Sequence, residues 1–306
     1  VNSAAADADL MTLAARIAQF VRRASTEITT YDHALIPQLA AMLPVGTTVY
    51  VAHTPRASLD DVVHTASAVQ AAGLRASPHI VARRLAGEPA LRAALARLSE
   101  AGVEQVLVVA GDLAHPAGPF ASSLDVLASG ALRGSGIRRI GFAGHPEGHP
   151  SVAEDALWES LRRKQARAAQ IGLRAHVVTQ FGFDADAVCD WVRRLGAHGI
   201  ALPVHVGVAG PTSVSRLLKF AMQCGVGASV HAAVRGTRAA GRLMRSGVSP
   251  ERMITGLLRQ GAGFELGQIE QPHFFGFGGA LVTAHWLARI GSGAFIMHPQ
   301  GPELDN

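Results

Sequence analysis

Glu27, His53, His79, Asp112, His145, His149 and Gln180 each lie in or just past a short apolar run of the chain. Carboxyl, imidazole and amide groups placed this way suit proton transfer and hydrogen bonding to a polar ring. Imidazoles with a carboxylate also suit a metal, but the spacing speaks against one. There is no His-x-His after the first run and no His-Glu-x-x-His, and His145 and His149 sit in the loop Gly144-His145-Pro146-Glu147-Gly148-His149-Pro150, which sets no ligand geometry. We therefore expect no metal. Further on, Arg163 and Lys164 end the basic triplet Arg162-Arg163-Lys164. Guanidinium and ammonium groups bind phosphate or pyrophosphate, while apolar walls with a few placed donors bind a flat heteroaromatic ring. Together these residues suit a nucleotide-type cofactor lying across a polar rim.

Short β-type runs that alternate with helical segments must position that rim. A helix over about 8–24 precedes a first strand at 27–31. Further strands are expected at 48–53, 75–81, 106–112, 139–143, 175–181 and 202–208, with the last inside 267–277. Helices are expected around 33–42, from Ser58 to Gly73, and at 89–100, 121–132, 153–171, 185–195, 213–224 and 279–289. About forty residues of further helix should lie before the last strand. Val106-Leu107-Val108-Val109-Ala110-Gly111-Asp112 is apolar without alternation, as in a parallel strand buried on both faces. Eight strands, each followed by a helix, predict an α/β fold of the (β/α)₈ barrel type with an extra N-terminal helix and extra helices between strands seven and eight. An open doubly wound sheet is the alternative, but no Gly-x-Gly-x-x-Gly follows an early strand. The expected organisation is one domain over 1–306: N-terminal helix 1–24, barrel 25–290, tail 291–306. In such a barrel the strand C-terminal ends carry the active site. His205 and His273 read as satisfied core or rim histidines. Trp158 reads as packing, and at least one of Cys189 and Trp191 should face the core.

Composition narrows the classes. At 48% hydrophobic and 17% charged residues the chain is not of the disordered type. No run approaches the roughly 20 apolar residues of a spanning helix, so no membrane association is expected. The first 25 residues, with Asp7, Asp9, Arg16, Arg22 and Arg23 among apolar positions, read as an amphipathic helix rather than a signal peptide. Cys189 and Cys224 read as reduced thiols of a cytoplasmic protein. The net charge of +5 comes from scattered Arg with only Lys164 and Lys219 as Lys, and no basic stripe with aromatics appears, so no nucleic acid is expected.

The ordered set then resembles a known family. Ser25-Thr26-Glu27, Pro78-His79, Val109-Ala110-Gly111-Asp112, the His145–Pro150 loop, Leu161-Arg162-Arg163-Lys164 and Val178-Thr179-Gln180-Phe181 occur in the order of the methylenetetrahydrofolate reductases, flavin-dependent barrels of one-carbon metabolism and methionine biosynthesis. The resemblance spans about residues 20–290. It implies interconversion of 5,10-methylenetetrahydrofolate and 5-methyltetrahydrofolate, with FAD as cofactor and NADH or NADPH as co-substrate. Glu27 matches the acid that protonates the folate's one-carbon bridge, a role that needs a carboxyl still protonated near neutral pH. Asp112 matches the acid beside the flavin that positions the pterin, and Gln180 the amide that also holds it. His79, Ala143, His149, Arg163 and Lys164 match FAD contacts; His53, Gly111, Asp112 and His145, on the same rim, join the expected cofactor-binding set. The chain departs from the family pattern at Ile28-Thr29-Thr30-Tyr31, Ala110, His145, Gly207-Val208-Ala209-Gly210-Pro211 and Gly276-Phe277-Gly278-Gly279. Two alternatives stand beside this reading: the same reaction run oxidatively in one-carbon catabolism, and a non-catalytic folate- or flavin-binding paralogue. The expected partners are small molecules, folate and pyridine nucleotide, with a possible homo-oligomer.

Overall fold

The computed structural model describes residues 2–213, 215–217, 250–261, 267–298 and 301–304. Helix α1 (Asn2–Val21) leads into β1 (Ser25–Thr29), α2 (Ile36–Met42), β2 (Thr48–Ala52), α3 (Leu59–Ala71), β3 (Arg75–Val81) and α4 (Glu88–Glu100). Then follow β4 (Gln105–Val109), α5 (Ser123–Ala128), β5 (Arg139–Gly144), α6 (Glu154–Gln170), β6 (Arg174–Thr179), α7 (Ala185–Ala197) and β7 (Val204–Ala209). Beyond it lie α8 (Glu251–Arg259), β8 (Ile269–Phe275), α9 (Ala280–Ser292), β9 (Ile296–His298) and β10 (Gly301–Glu303). Strands β1 to β8 close in chain order into a parallel barrel, β8 pairing back onto β1 through Ser25↔His273 and Thr26↔Phe274. The expected (β/α)₈ barrel with its N-terminal helix is the fold. Lys219, Cys224 and most of the helices expected between strands seven and eight lie outside the described residues.

The alternation of strand side chains divides this barrel into two interiors. Residues such as Val49, Val51, Ile80, Val106, Val108, Phe142, Val177 and Phe274 point outward and join helix residues such as Leu39, Val62, Leu95 and Leu195 in one continuous core. This is why β4 reads as unbroken apolar: both of its faces are covered. The lumen is different. Its apolar cluster is Tyr50, Leu107 and Val178 with Val109 against it, and much of the rest is polar.

Two boundaries differ from expectation with consequences. The first strand is Ser25–Thr29, not 27–31, because the chain turns into a 3₁₀ helix over Thr30–Leu35. Asp32 drives the turn by accepting from the Thr29 amide and hydroxyl, each at 2.8 Å. The tail expected from 291 carries an antiparallel ribbon, β9 with β10, in which Gly301 packs on Glu251 and Thr255 of α8. At α3 the variant box forms: Ser58 Oγ accepts from the Asp61 amide at 3.1 Å, and Asp61 accepts from the Ser58 amide at 2.8 Å.

Candidate active site at the barrel mouth

Glu27 is the central residue of β1 and, with Ser25 and Thr29, faces the lumen, since the intervening Ile28 belongs to the outer core. His79 sits inside β3 rather than at its end, because that strand runs on to Val81. Its side chain turns inward toward β1. There Nε2 of His79 lies 3.3 Å from Oε2 of Glu27, with the side chains 15% and 17% exposed. The pair is therefore mostly enclosed yet open to the mouth. The imidazole expected to touch a cofactor lies beside the acid.

Below this pair the lumen is a hydrogen-bonded polar layer. Ser25 Oγ lies 2.9 Å from His273 Nδ1 and accepts from Gln271 Nε2 at 3.2 Å. The Tyr50 hydroxyl lies 2.9 Å from His176 Nε2 and 3.3 Å from His205 Nδ1, and accepts from Gln105 at 3.2 Å. His205 Nε2 reaches Glu270 at 3.1 Å. Burial holds His176 and His273 well below the ordinary histidine range, helped by neighbouring His205, and drives the Tyr50 phenol up. Both His205 and His273 are buried, as the core reading expects.

The rim above β2, β3 and β4 is organised by Arg84. Its guanidinium donates to Thr54 O at 2.6 Å, His53 O at 3.2 Å and Asp112 Oδ1 at 2.8 Å. Asp112 lies past the end of β4, and its side chain is 59% exposed. Burial alone would raise its carboxyl, but the Arg84 hydrogen bond and its own backbone amide bring it down on balance. His53 Nε2 meets Ala57 O at 3.0 Å, and burial beside Arg84 lowers this imidazole. Gly111 has φ +93, and a Cβ there would stand 2.3 Å from Val81 Cγ1. Sequence reasoning passed over Arg84 as one of several Arg pairs. It lies three residues past the end of β3 and was not among the residues named for the rim.

At β5 the basic pair divides. Arg163 is exposed, whereas Lys164 turns inward, its Nζ 5.6 Å from the centre of the Phe142 ring, and burial brings it down to about 8. Ala143 is half-buried in β5 beside Val178. The rings of His145 and His149 meet edge-on at 5.0 Å. Burial, with His149 and Lys164 adding to it, lowers His145 to about 4, so it is neutral at physiological pH. His149 Nδ1 accepts from the Ser151 amide at 3.2 Å. Past β6, the Gln180 side-chain carbonyl accepts from the Phe181 amide at 3.1 Å, which aims the NH₂ end away from that amide. Phe181, Phe275 and Phe277 form an aromatic wall, with Phe181 5.5 Å and 5.0 Å from the other two. Phe275 is half-buried, its ring 4.8 Å from that of His273.

The structure thus brings together Glu27 with His79, Asp112 with His53 through Arg84, and His145 with His149 and Lys164. It sets Arg163 apart. Trp158 packs on Trp191 and His198, at 5.6 Å and 4.6 Å, as expected of a core residue, and Cys189 and Trp191 are both buried.

Among solved structures, the chain is similar to a dihydropteroate synthase from Thermus thermophilus, with 15% identity, a TM-score of 0.46 and coverage of 88% of this chain and 92% of that one. It is also similar to a putative lyase/mutase from Burkholderia cenocepacia, with 14% identity, a TM-score of 0.46 and coverage of 92% and 86%. Residues 33–235 match the family model of methylenetetrahydrofolate reductase.

Proposed function

Because the chain belongs to the methylenetetrahydrofolate reductase family, we propose that it interconverts 5,10-methylenetetrahydrofolate and 5-methyltetrahydrofolate, with FAD bound at the mouth and NADH or NADPH as hydride source. The observation that supports this most is Glu27, a largely enclosed carboxyl in the barrel with His79 Nε2 3.3 Å from its Oε2. A largely enclosed carboxyl suits protonation of the folate nitrogen that leaves the one-carbon bridge. Asp112 and Gln180 supply acceptor and amide groups for the pterin's amino and ring N–H groups.

The residues present fit a flavin nucleotide. Lys164 is an inward-turned ammonium with no carboxylate at ion-pair distance among the described residues, which suits a pyrophosphate. His53 Nδ1 and Thr54 Oγ1 are buried polar atoms without hydrogen-bond partners at the end of β2. Lys164, His53 and Thr54 would hold the cofactor, with His145 and His149 beside them. When bound, the flavin supplies two-electron hydride transfer between nicotinamide and folate. Glu27 gives its proton to the folate nitrogen, the aromatic wall excludes water from one side, and Arg84 holds Asp112 in place.

The test is the visible spectrum of the purified protein, before and after NADH and then methylenetetrahydrofolate. A flavin band that bleaches with NADH and returns with the folate is expected. A colourless protein that FAD cannot reconstitute removes the cofactor assignment. If such a protein still consumes NADH with the folate, the folate chemistry stands without the flavin.

A further inference from the structure

We propose that the first turn of α9, where it meets the loop after β7, is an oxyanion site that holds a phosphate group of the pyridine nucleotide. The proposal rests on the functional reading above for the nucleotide as the source of that phosphate, and on the structure for the site itself.

Two glycine-containing stretches that depart from the family pattern meet here. Strand β8 ends at Phe275, and Gly276-Phe277-Gly278-Gly279 leads into α9 at Ala280. A Cβ on Gly276 would stand 3.0 Å from Glu27 O, and one on Gly279 would stand 3.8 Å from Pro211 O. The helix therefore starts at the barrel mouth, between the ends of β7 and β1. Phe277 and Gly278 both have positive φ, +46 and +73. A bulky residue seldom adopts that region; here the Phe277 ring is held by Phe181 and Phe275.

This turn leaves three donors open. Helix α9 has no side-chain cap and no acidic residue in its first turn. The Gly279 amide bonds Gly276 O at 2.7 Å and the Thr283 amide bonds Gly279 O at 2.9 Å, whereas the amides of Ala280, Leu281 and Val282 make no hydrogen bond among the described residues. Such amides form the positive end of the helix dipole and bind phosphate. Every helix has such an end; two hydroxyls set this one apart. Thr283 is fully buried and its Oγ1 has no hydrogen-bond partner. Helical side chains lean toward the N-terminus, and this one comes up to the β7 loop, where a Cβ on Gly210 would stand 2.6 Å from Oγ1. Two residues on from Gly210, Thr212 Oγ1 is also buried without a partner. Buried hydroxyls are normally paired. An oxyanion seated between the loop and the helix end accepts from these hydroxyls and from the open amides together. Val282, on the same turn, is 56% exposed, so the turn is open to solvent on that side. In barrels of this fold the loops after the last two strands frequently bind phosphate with a helix N-terminus. Lys164 belongs to α6, after β5, so the flavin's pyrophosphate and this phosphate have separate places on the mouth.

The test begins with inorganic phosphate and the full-length protein. The amide ¹H–¹⁵N resonances of Ala280 and Leu281 are followed as phosphate is added to wild type, Val282→Glu and Val45→Glu. Val282→Glu sets a carboxylate on the third helical residue, where it favours the helix and opposes a bound anion. Val45, 91% exposed before β2 at the other end of the barrel, is the control for the added charge. Saturable shifts in wild type and Val45→Glu, with affinity roughly fivefold or more weaker in Val282→Glu, are expected. Amides that do not respond, or that respond alike in all three proteins, would overturn the site. Thr283→Val removes only the hydroxyl and should weaken phosphate roughly fivefold without lowering the melting temperature, since that hydroxyl has no partner to lose. Unchanged affinity, or a lowered melting temperature, would overturn its part. In turnover, Val282→Glu should raise the KM for NADH and leave that for methylenetetrahydrofolate in place. A rise in the folate KM alone would give the site to the folate's carboxylates and overturn the nucleotide as its source. Absence of turnover in the wild type would instead strike the functional reading, and the phosphate titration would still decide the site.

Discussion

Glu27→Gln keeps the side chain's size and one acceptor oxygen while removing the proton. Loss of a general acid lowers rates by roughly 10² to 10⁴. We therefore expect folate turnover by Glu27→Gln to fall by that order, with bound flavin still visible in the spectrum. Turnover within a few fold of wild type would remove Glu27 from its role. Arg84 makes a different kind of prediction, since its guanidinium satisfies two carbonyls and one carboxylate at once. Arg84→Met leaves these groups without that donor, at a cost of about 1–3 kcal/mol. Denaturant unfolding reads the loss, and folate KM should rise because Asp112 is no longer held. Asp112 stood out in the sequence because an acid at the end of an apolar run is conspicuous. Arg84 did not, because one arginine in a chain rich in them carries no mark of its partners.

At the scale of elements, the loop after β4 is shaped by close approach to β3. Ala110 O accepts from the Arg83 amide at 2.9 Å, and the Arg83 side chain donates to Leu113 O and Ala121 O, each at 2.9 Å. Gly111 sits within this junction at φ +93, with Val81 Cγ1 2.3 Å from any Cβ placed there. Gly111→Ala combines a strained backbone with a clash, so we expect about 1–3 kcal/mol of destabilisation and weaker folate binding through a displaced Asp112. A melting temperature and KM equal to wild type would show that the junction relaxes freely. Helix α6 shows how an element sorts neighbours that look equivalent in sequence. Its rotation turns Lys164 inward and leaves Arg163 in solvent. Lys164→Gln should therefore weaken FAD retention by about tenfold, while Arg163→Gln should leave it near wild type; equilibrium dialysis compares them.

Across the whole molecule, the polar lumen makes stability depend on pH. His53, His145, His176 and His273 are all lowered in the folded protein, chiefly by burial. In the unfolded chain each takes up a proton below about pH 6.5. The unfolded state then binds more protons than the folded one, so stability falls as pH drops from 7 to 5. The urea midpoint followed by circular dichroism should fall over that window, before the carboxylates titrate. A midpoint constant between pH 7 and 5 would contradict the burial of these rings. Tyr50→Phe should cost about 1–3 kcal/mol at neutral pH by leaving His176 and Gln105 without their partner.

The alternation of apolar runs with helical segments was enough to determine the barrel, because each strand must cover two faces and each helix one. That logic is local and repeats along the chain. The places of Asp112 and Gln180 past the ends of β4 and β6 were also legible, and it is strand C-terminal ends that this fold assigns to chemistry. What the tertiary structure alone decided is who meets whom. His79 and Glu27 come from β3 and β1; Tyr50, His176 and His205 come from β2, β6 and β7. Such pairings depend on barrel closure and on the stagger between strands, which no local pattern encodes. Closure is also what makes a polar lumen tolerable: groups far apart in sequence satisfy one another where water cannot reach them.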